Sequence, residues 1–252
     1  MTITISELWL APVKGMQVAP AAAVTLETQG PRGDRAFLVV DADGDLLITT
    51  RTPALLTVTA AYDGERLALR FPGGTEVAAP VEPGAAVTTR LYDGRPLSGR
   101  LVDGPLAGAL SEHLGRRVRL LARDAGETGA DDFPVTLMSG ASLRALAPAL
   151  DGTVPDGRRF RMTLTVEGVQ AWEEHGWGGR ELGVGEARLR VAEPVPRCAV
   201  TTRSPEDGHR DAPVLKALAH LRGKRDVTFG VWCEVTRPGV VRRGDQLTVP
   251  GL

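Results

Sequence analysis

The stretch AFLVVDADGDLLITT, residues 36–50, decides the fold class. Two short runs of Val, Leu, Ile and Thr flank Asp41-Ala-Asp-Gly-Asp45, where Asp and Gly supply the positive-φ positions of a tight turn. The pattern predicts a β-hairpin with strands at 36–41 and 46–50. The turn also mimics the start of a calcium loop, but that needs flanking helices and a Glu at the twelfth position, which here is Thr52. Working outward, residues 3–10, 56–62 and 66–71 read as further strands separated by Gly, Pro and Asp. Residues 105–114 (PLAGALSEHL) open on Pro, carry apolar residues at helical spacing and stop at Gly115, which predicts a short helix; residues 117–122 then alternate as a strand. The polar, acidic stretch 123–132 (RDAGETGADD) has no periodicity and reads as a linker, dividing the chain into domains 1–124 and 125–252.

The second half repeats this β-rich pattern. A buried strand PVTLM runs into Ser139, which caps a helix extending to Leu150. Strands follow at 159–166, 186–192 and 197–202, a helix at 214–221, and strands at 226–236 and 246–249. The expected fold is mainly β with α+β character: two β-barrel-like modules carrying a few short helices.

Composition narrows the function. The 252 residues hold 30 Lys+Arg against 31 Asp+Glu, a formal net charge of −1, with only 4% aromatic residues. That balance lacks the basic footprint of a nucleic-acid binder or of a protein on an anionic membrane surface, and few aromatics are available for base stacking. No apolar run reaches membrane-spanning length and no signal-peptide pattern opens the chain, so no membrane association and a cytoplasmic location are expected. Two cysteines, Cys198 and Cys233, make no disulfide framework and no CxxC spacing. Only three of the basic residues are lysines, Lys14, Lys216 and Lys224, so a lysine beside a turn, as Lys14 is, draws attention as a chosen point charge.

Most candidate motifs dissolve on inspection. The four histidines are scattered without an HExxH, Gly183-Val-Gly185 lacks the third glycine of a dinucleotide fingerprint and reads as a hairpin, and Glu173-Glu174 reads as a solvated or Arg-paired loop. Cys198 is different. It follows Pro194-Val-Pro-Arg197, where prolines interrupt a regular ladder and the Arg197 cation favours a thiolate able to attack electrophiles or ligate soft metals. Locally, a small buried hydrophobe at a strand head is an equally good reading. Cys233, inside the alternating VTFGVWCEV, has no adjacent cation and reads as core.

A wider set of residues carries a resemblance: Pro12-Val-Lys14-Gly15, Gly33-Asp-Arg35, Thr50-Arg51 with Pro53, Leu137-Met-Ser139-Gly-Ala-Ser142-Leu143, Arg159-Phe-Arg161, Arg197-Cys198, Phe229-Gly230 and Gly244-Asp245. In this order, and spanning nearly the whole chain, the set resembles the MOSC-domain proteins with an N-terminal MOSC β-barrel domain, the group containing the amidoxime-reducing components. The resemblance implies a molybdenum cofactor held between the two domains. By that likeness Cys198 is the metal ligand and catalytic residue, and Lys14, Arg35, Arg161, Thr163 and Arg197 are cofactor-binding, joined by Ser139 and Ser142 at a helix start, where donors suit an anion. It further implies a molybdenum-dependent reductase acting on a small N-hydroxylated substrate. No heme, iron–sulfur or flavin pattern is present, so electrons would come from a separate donor protein. The chain departs from the group at Met162-Thr163, Ser204 and Pro196, changes that bear on the pocket wall. Two alternatives stay open: a sulfur carrier using a Cys198 persulfide, and a scaffold without cofactor.

Overall fold

The structure is a computed structural model that describes residues 2–223 and 227–251; Lys224 and Asp226, the first residue of the expected 226–236 strand, lie outside them. Seven strands close a barrel in the spatial order Leu164–Glu167, Val135–Ser139, Thr228–Arg237, Ala187–Pro196, Glu181–Val184, Gln246–Thr248 and Ile3–Leu10. Closure comes from antiparallel pairing of Ile3–Leu10 with Leu164–Glu167, Thr4 opposite Glu167 and Leu8 opposite Leu164. Ile5 and Leu8 are three residues apart, a spacing that puts side chains on opposite faces of a regular strand. A register shift between Ile5 and Glu7 brings both into the interior, where they pack with Leu137, Val166, Leu189 and Val231.

The N-terminal half packs two sheets around its own core. One contains Phe37–Asp41, Val118–Arg123, Pro96–Asp103 and Glu82–Arg90; the other Thr59–Tyr62, Arg66–Arg70 and Glu76–Pro80. Helix Pro105–Leu114 lays Leu106 and Leu110 into this core and ends on Gly115 in the left-handed conformation, as its sequence predicts. No helix among the described residues is long and apolar enough to cross a membrane.

Strands from the first half complete sheets of the second. Ile3–Leu10 is a stave of the second barrel, and Ala23–Glu27 pairs with Gly239–Arg242. The physical reason is closure: without Ile3–Leu10 the barrel would present unpaired edges on Leu164–Glu167 and Gln246–Thr248. The segment read as a linker is likewise tied down. The Thr128 hydroxyl donates to the Gln29 carbonyl at 3.1 Å, and Arg95 donates to the carbonyls of Ala130 and Asp131 at 3.1 and 2.6 Å.

Three expected strands take other forms. In 46–50 only Leu46 bridges, to Val40, before the chain turns into the short helix Pro53–Thr57. Within 159–166, Asp156 caps the helical turn Gly157–Phe160 and the strand starts at Leu164. Residues 199–202 also form a helical turn, because the hydroxyls of Thr201 and Thr202 bond back to the carbonyls of Cys198 and Ala199. The strands Glu76–Pro80, Glu82–Arg90 and Pro96–Asp103 gave no sequence signal, since Gly, Pro and Ala interrupt their alternation.

Candidate functional site

Lys14 is delivered to the seam between the halves by a backbone lock. Its N–H donates to the Phe37 carbonyl at 2.7 Å, and the Phe37 N–H donates to the Pro12 carbonyl at 3.0 Å. Gly15 has φ +88°, and a Cβ there would stand 2.9 Å from the Thr49 hydroxyl, so the turn that presents Lys14 needs glycine. On the other side of the lock, Asp34 accepts from the Ala11 N–H at 2.7 Å and from the Arg35 guanidinium. The Pro12–Gly15 and Gly33–Arg35 motifs are thus two sides of one structure.

Arg161 comes from the barrel side. It ends the turn Gly157–Phe160 and sends its guanidinium across the seam to the Met16 carbonyl at 2.5 Å, while Arg35 reaches toward the Arg161 carbonyl. Both arginines hold left-handed backbone, φ +46° at Arg35 and +55° at Arg161, a strain of roughly 1–3 kcal/mol each that packed surroundings must maintain. Cys198 stands at the head of the Ala199–Thr202 turn, exposed, within the electrostatic reach of Arg161 and Arg197. Cys233 is sealed in the barrel, where burial pushes its thiol up to about 12.

The charges respond to this crowding. Burial, with Arg35 adding repulsion, brings Arg161 down to about 10, and burial brings Arg197 down to about 9, the neighbouring Cys198 side chain opposing both shifts. Burial also works against the Arg35 cation, but Asp34 and Asp131 overcome it and raise its pKa. Lys14 donates to the Gly129 carbonyl at 2.8 Å and to Asp131 Oδ1 at 2.5 Å. Its pKa is lowered by burial, a shift that Asp131 opposes and that Arg35 and Arg161 reinforce.

Four expected contacts take a different form. Ser139 and Ser142 are fully buried, and their groups serve Glu174: the Ser139 N–H donates to one carboxylate oxygen at 3.3 Å and the Ser142 hydroxyl to the other at 3.0 Å. Donors committed to a buried carboxylate do not receive a second anion, so these serines cap and brace instead. The same network corrects the reading of Glu174, which is enclosed rather than solvated or Arg-paired. Thr163 is buried in the barrel wall, where its N–H donates to the Thr136 hydroxyl at 2.9 Å. Arg197 spends its N–H groups on the carbonyls of Phe229 (2.6 and 3.0 Å) and Phe160 (3.0 Å) and lies over the Phe160 ring, with Met162 against it. It is a buried cation that braces the loop before Cys198. Sequence reasoning missed Asp34 and Asp131; the signal was that converging cations need counter-charges, and both carboxylates lie in motifs already noted.

What remains at the seam is a cationic surplus, Lys14, Arg35, Arg161 and the braced Arg197 against Asp34 and Asp131, beside one exposed thiol. No group of three or more His, Cys, Asp or Glu able to hold a metal ion exists among the described residues. A metal bound here would therefore come with most of its own ligands and take one sulfur from the protein. A multiply anionic carrier matches the surplus of charge, so the donor set fits a phosphate-bearing pterin dithiolene.

The chain is similar to several known proteins. The mitochondrial amidoxime reducing component 2 of Bos taurus is 28% identical over 280 aligned positions, spanning 96% of this chain and 82% of that protein. Component 1 of Homo sapiens is 25% identical, spanning 98% and 83%. The molybdenum cofactor sulfurase of Caenorhabditis elegans is 25% identical over 92% of this chain, which spans only 33% of that larger protein. Among solved structures, the YUAD protein from Bacillus subtilis aligns over 98% of this chain and 94% of its own, with a TM-score of 0.49 and 14% identity. Residues 2–100 match the family model of the MOSC N-terminal beta barrel domain and residues 124–248 that of the MOSC domain. With both models matched in order over most of its length, the chain belongs to the MOSC-domain proteins that carry an N-terminal MOSC β-barrel domain.

Proposed function

We propose that the seam binds a molybdenum cofactor with Cys198 as the protein's ligand to the metal, and that the chain reduces N-hydroxylated compounds. The observation that carries this reading is that Arg161, reached electrostatically by the exposed Cys198 thiol, also acts on Lys14 and crosses to the Met16 carbonyl of the other half of the chain. When bound, the cofactor supplies the two-electron chemistry; overall, an N–OH group, two electrons and two protons give N–H and water. The protein's own residues bind and orient. Lys14 and Arg35 neutralise anionic groups, and Arg161 links them to the Cys198 side of the seam. Arg197, anchored on Phe229 and Phe160, fixes the backbone that presents the thiol. Electrons come from a separate donor protein. Chain expressed in a cofactor-competent host should turn over an N-hydroxy substrate with reduced viologen as donor; a molybdenum-loaded sample with no turnover overturns the reductase.

Sulfur carriage is the second reading, favoured by the same solvent exposure of Cys198 and by similarity to a sulfurase across most of this chain. Sulfane sulfur on Cys198 without copurified pterin, read by mass spectrometry, would select it over the reductase.

A further inference from the structure

Lys14 already holds an anion, and that anion belongs to the chain. Its side chain is nearly buried, 13% exposed, whereas that of its partner Asp131 is 57% exposed. The carboxylate side of the pair opens to water, while the ammonium stays where burial disfavours an unpaired charge. Asp131 also feels Arg35 and Arg161, so it sits at the focus of the cations that face the seam. The backbone around it is fixed independently of this ion pair. Arg95 holds the Ala130 and Asp131 carbonyls, Tyr92 donates to Asp132 at 2.8 Å, and Gly129 packs so tightly that a Cβ would stand 2.3 Å from the Arg35 carbonyl oxygen. Only the Asp131 side chain needs to rotate to vacate Lys14.

We propose that the Asp131 carboxylate is a built-in stand-in for a ligand's anionic group, holding Lys14 until a phosphate-type anion displaces it. This rests on the reading that the seam takes a phosphate-bearing cofactor, and it adds that loading is an exchange of anions rather than entry into an open cationic site. The arrangement keeps Lys14 paired during folding, and it makes the site selective for ligands whose charge exceeds that of one carboxylate.

Calorimetric titration with inorganic phosphate, at neutral pH and fixed ionic strength, tests the exchange. Asp131→Asn should bind phosphate about tenfold more tightly than the parent chain, because the competing anion is gone. Asp132→Asn removes the same charge from the neighbouring residue, which bonds Tyr92 instead of Lys14, and should leave the affinity within about twofold. Asp131→Ser serves in the same role if the Asn variant does not fold. Equal affinities of the Asp131 variants and the parent, equal gains from Asp131→Asn and Asp132→Asn, or no phosphate binding by any variant would each overturn the proposal. Molybdenum content is not read in this titration. An absent cofactor therefore leaves a positive result standing, and a negative result beside full molybdenum loading defeats the exchange alone.

Discussion

Cys198 and Cys233 carry the same thiol in opposite surroundings, one exposed at the head of a turn and the other fully buried with its pKa pushed up to about 12. Iodoacetamide at mildly alkaline pH should therefore alkylate Cys198 and spare Cys233, as peptide mass mapping will show; labelling of both would mean that the barrel interior is open. Cys198→Ser should abolish reduction of an N-hydroxy substrate while changing unfolding free energy by no more than about 0.5 kcal/mol, since the side chain is exposed. Glu174→Ala should behave in reverse. It strands the buried Ser139 N–H and Ser142 hydroxyl and should cost about 2–3 kcal/mol in urea unfolding. These residues also mark what could be read in advance. That Lys14, Arg35 and Arg161 belong together was legible because distinctive motifs carry them, and the fold does bring them to one seam. The partners of Ser139, Ser142 and Thr163 within the chain were not legible, because a helix cap, a wall hydroxyl and an anion donor use the same residue types, and only the partner across the chain tells them apart.

Among the elements, the segment 123–132 departs furthest from its sequence pattern. Acidic, Gly-containing and aperiodic, it reads as a linker, yet Arg95, Thr128 and Lys14 pin it across the seam. Long-range bonds of this kind leave no local signature. The hairpin turn at 41–45 formed as its residues dictate, with Asp41 accepting from the N–H groups of Asp43 and Asp45, but its second strand stops at an isolated bridge of Leu46 to Val40. The pinned segment has a pH signature. Burial alone would raise the Asp131 pKa, but Lys14, Arg35 and Arg161 outweigh it and hold the carboxyl below its ordinary value. A depressed folded pKa contributes stability above the unfolded carboxylate value and loses it as pH falls through the folded one. Lys14 remains protonated throughout that acidic range. The thermal midpoint should thus fall less steeply on acidification in Asp131→Asn than in the parent; identical acid profiles would show that the pair contributes nothing to stability.

For the whole molecule, the central feature is that the second barrel borrows its closing strand from the start of the chain. A fragment of residues 125–252 lacks Ile3–Leu10 and the Ala23–Glu27 partner of Gly239–Arg242. It should be unfolded or aggregated by circular dichroism, and residues 1–31 supplied as a peptide should restore structure; an independently folded fragment would contradict the closure argument. The β-rich character and the two-module plan were legible from short strands and turn residues, whereas this strand exchange was not, since pairing between residues 160 positions apart is set by closure and not by local pattern. The exchange also explains the site. Pro12–Lys14 follows directly on the borrowed strand, so the barrel that presents Cys198 positions Lys14 as well.

Metal and pterin analysis of the chain and of Cys198→Ser, both purified from a cofactor-competent host, tests the central claim most directly. The account predicts about one molybdenum and one pterin per chain in the parent, with one sulfur fewer around the metal in the variant by X-ray absorption. A parent chain free of both, or a variant whose metal keeps every sulfur, would contradict it.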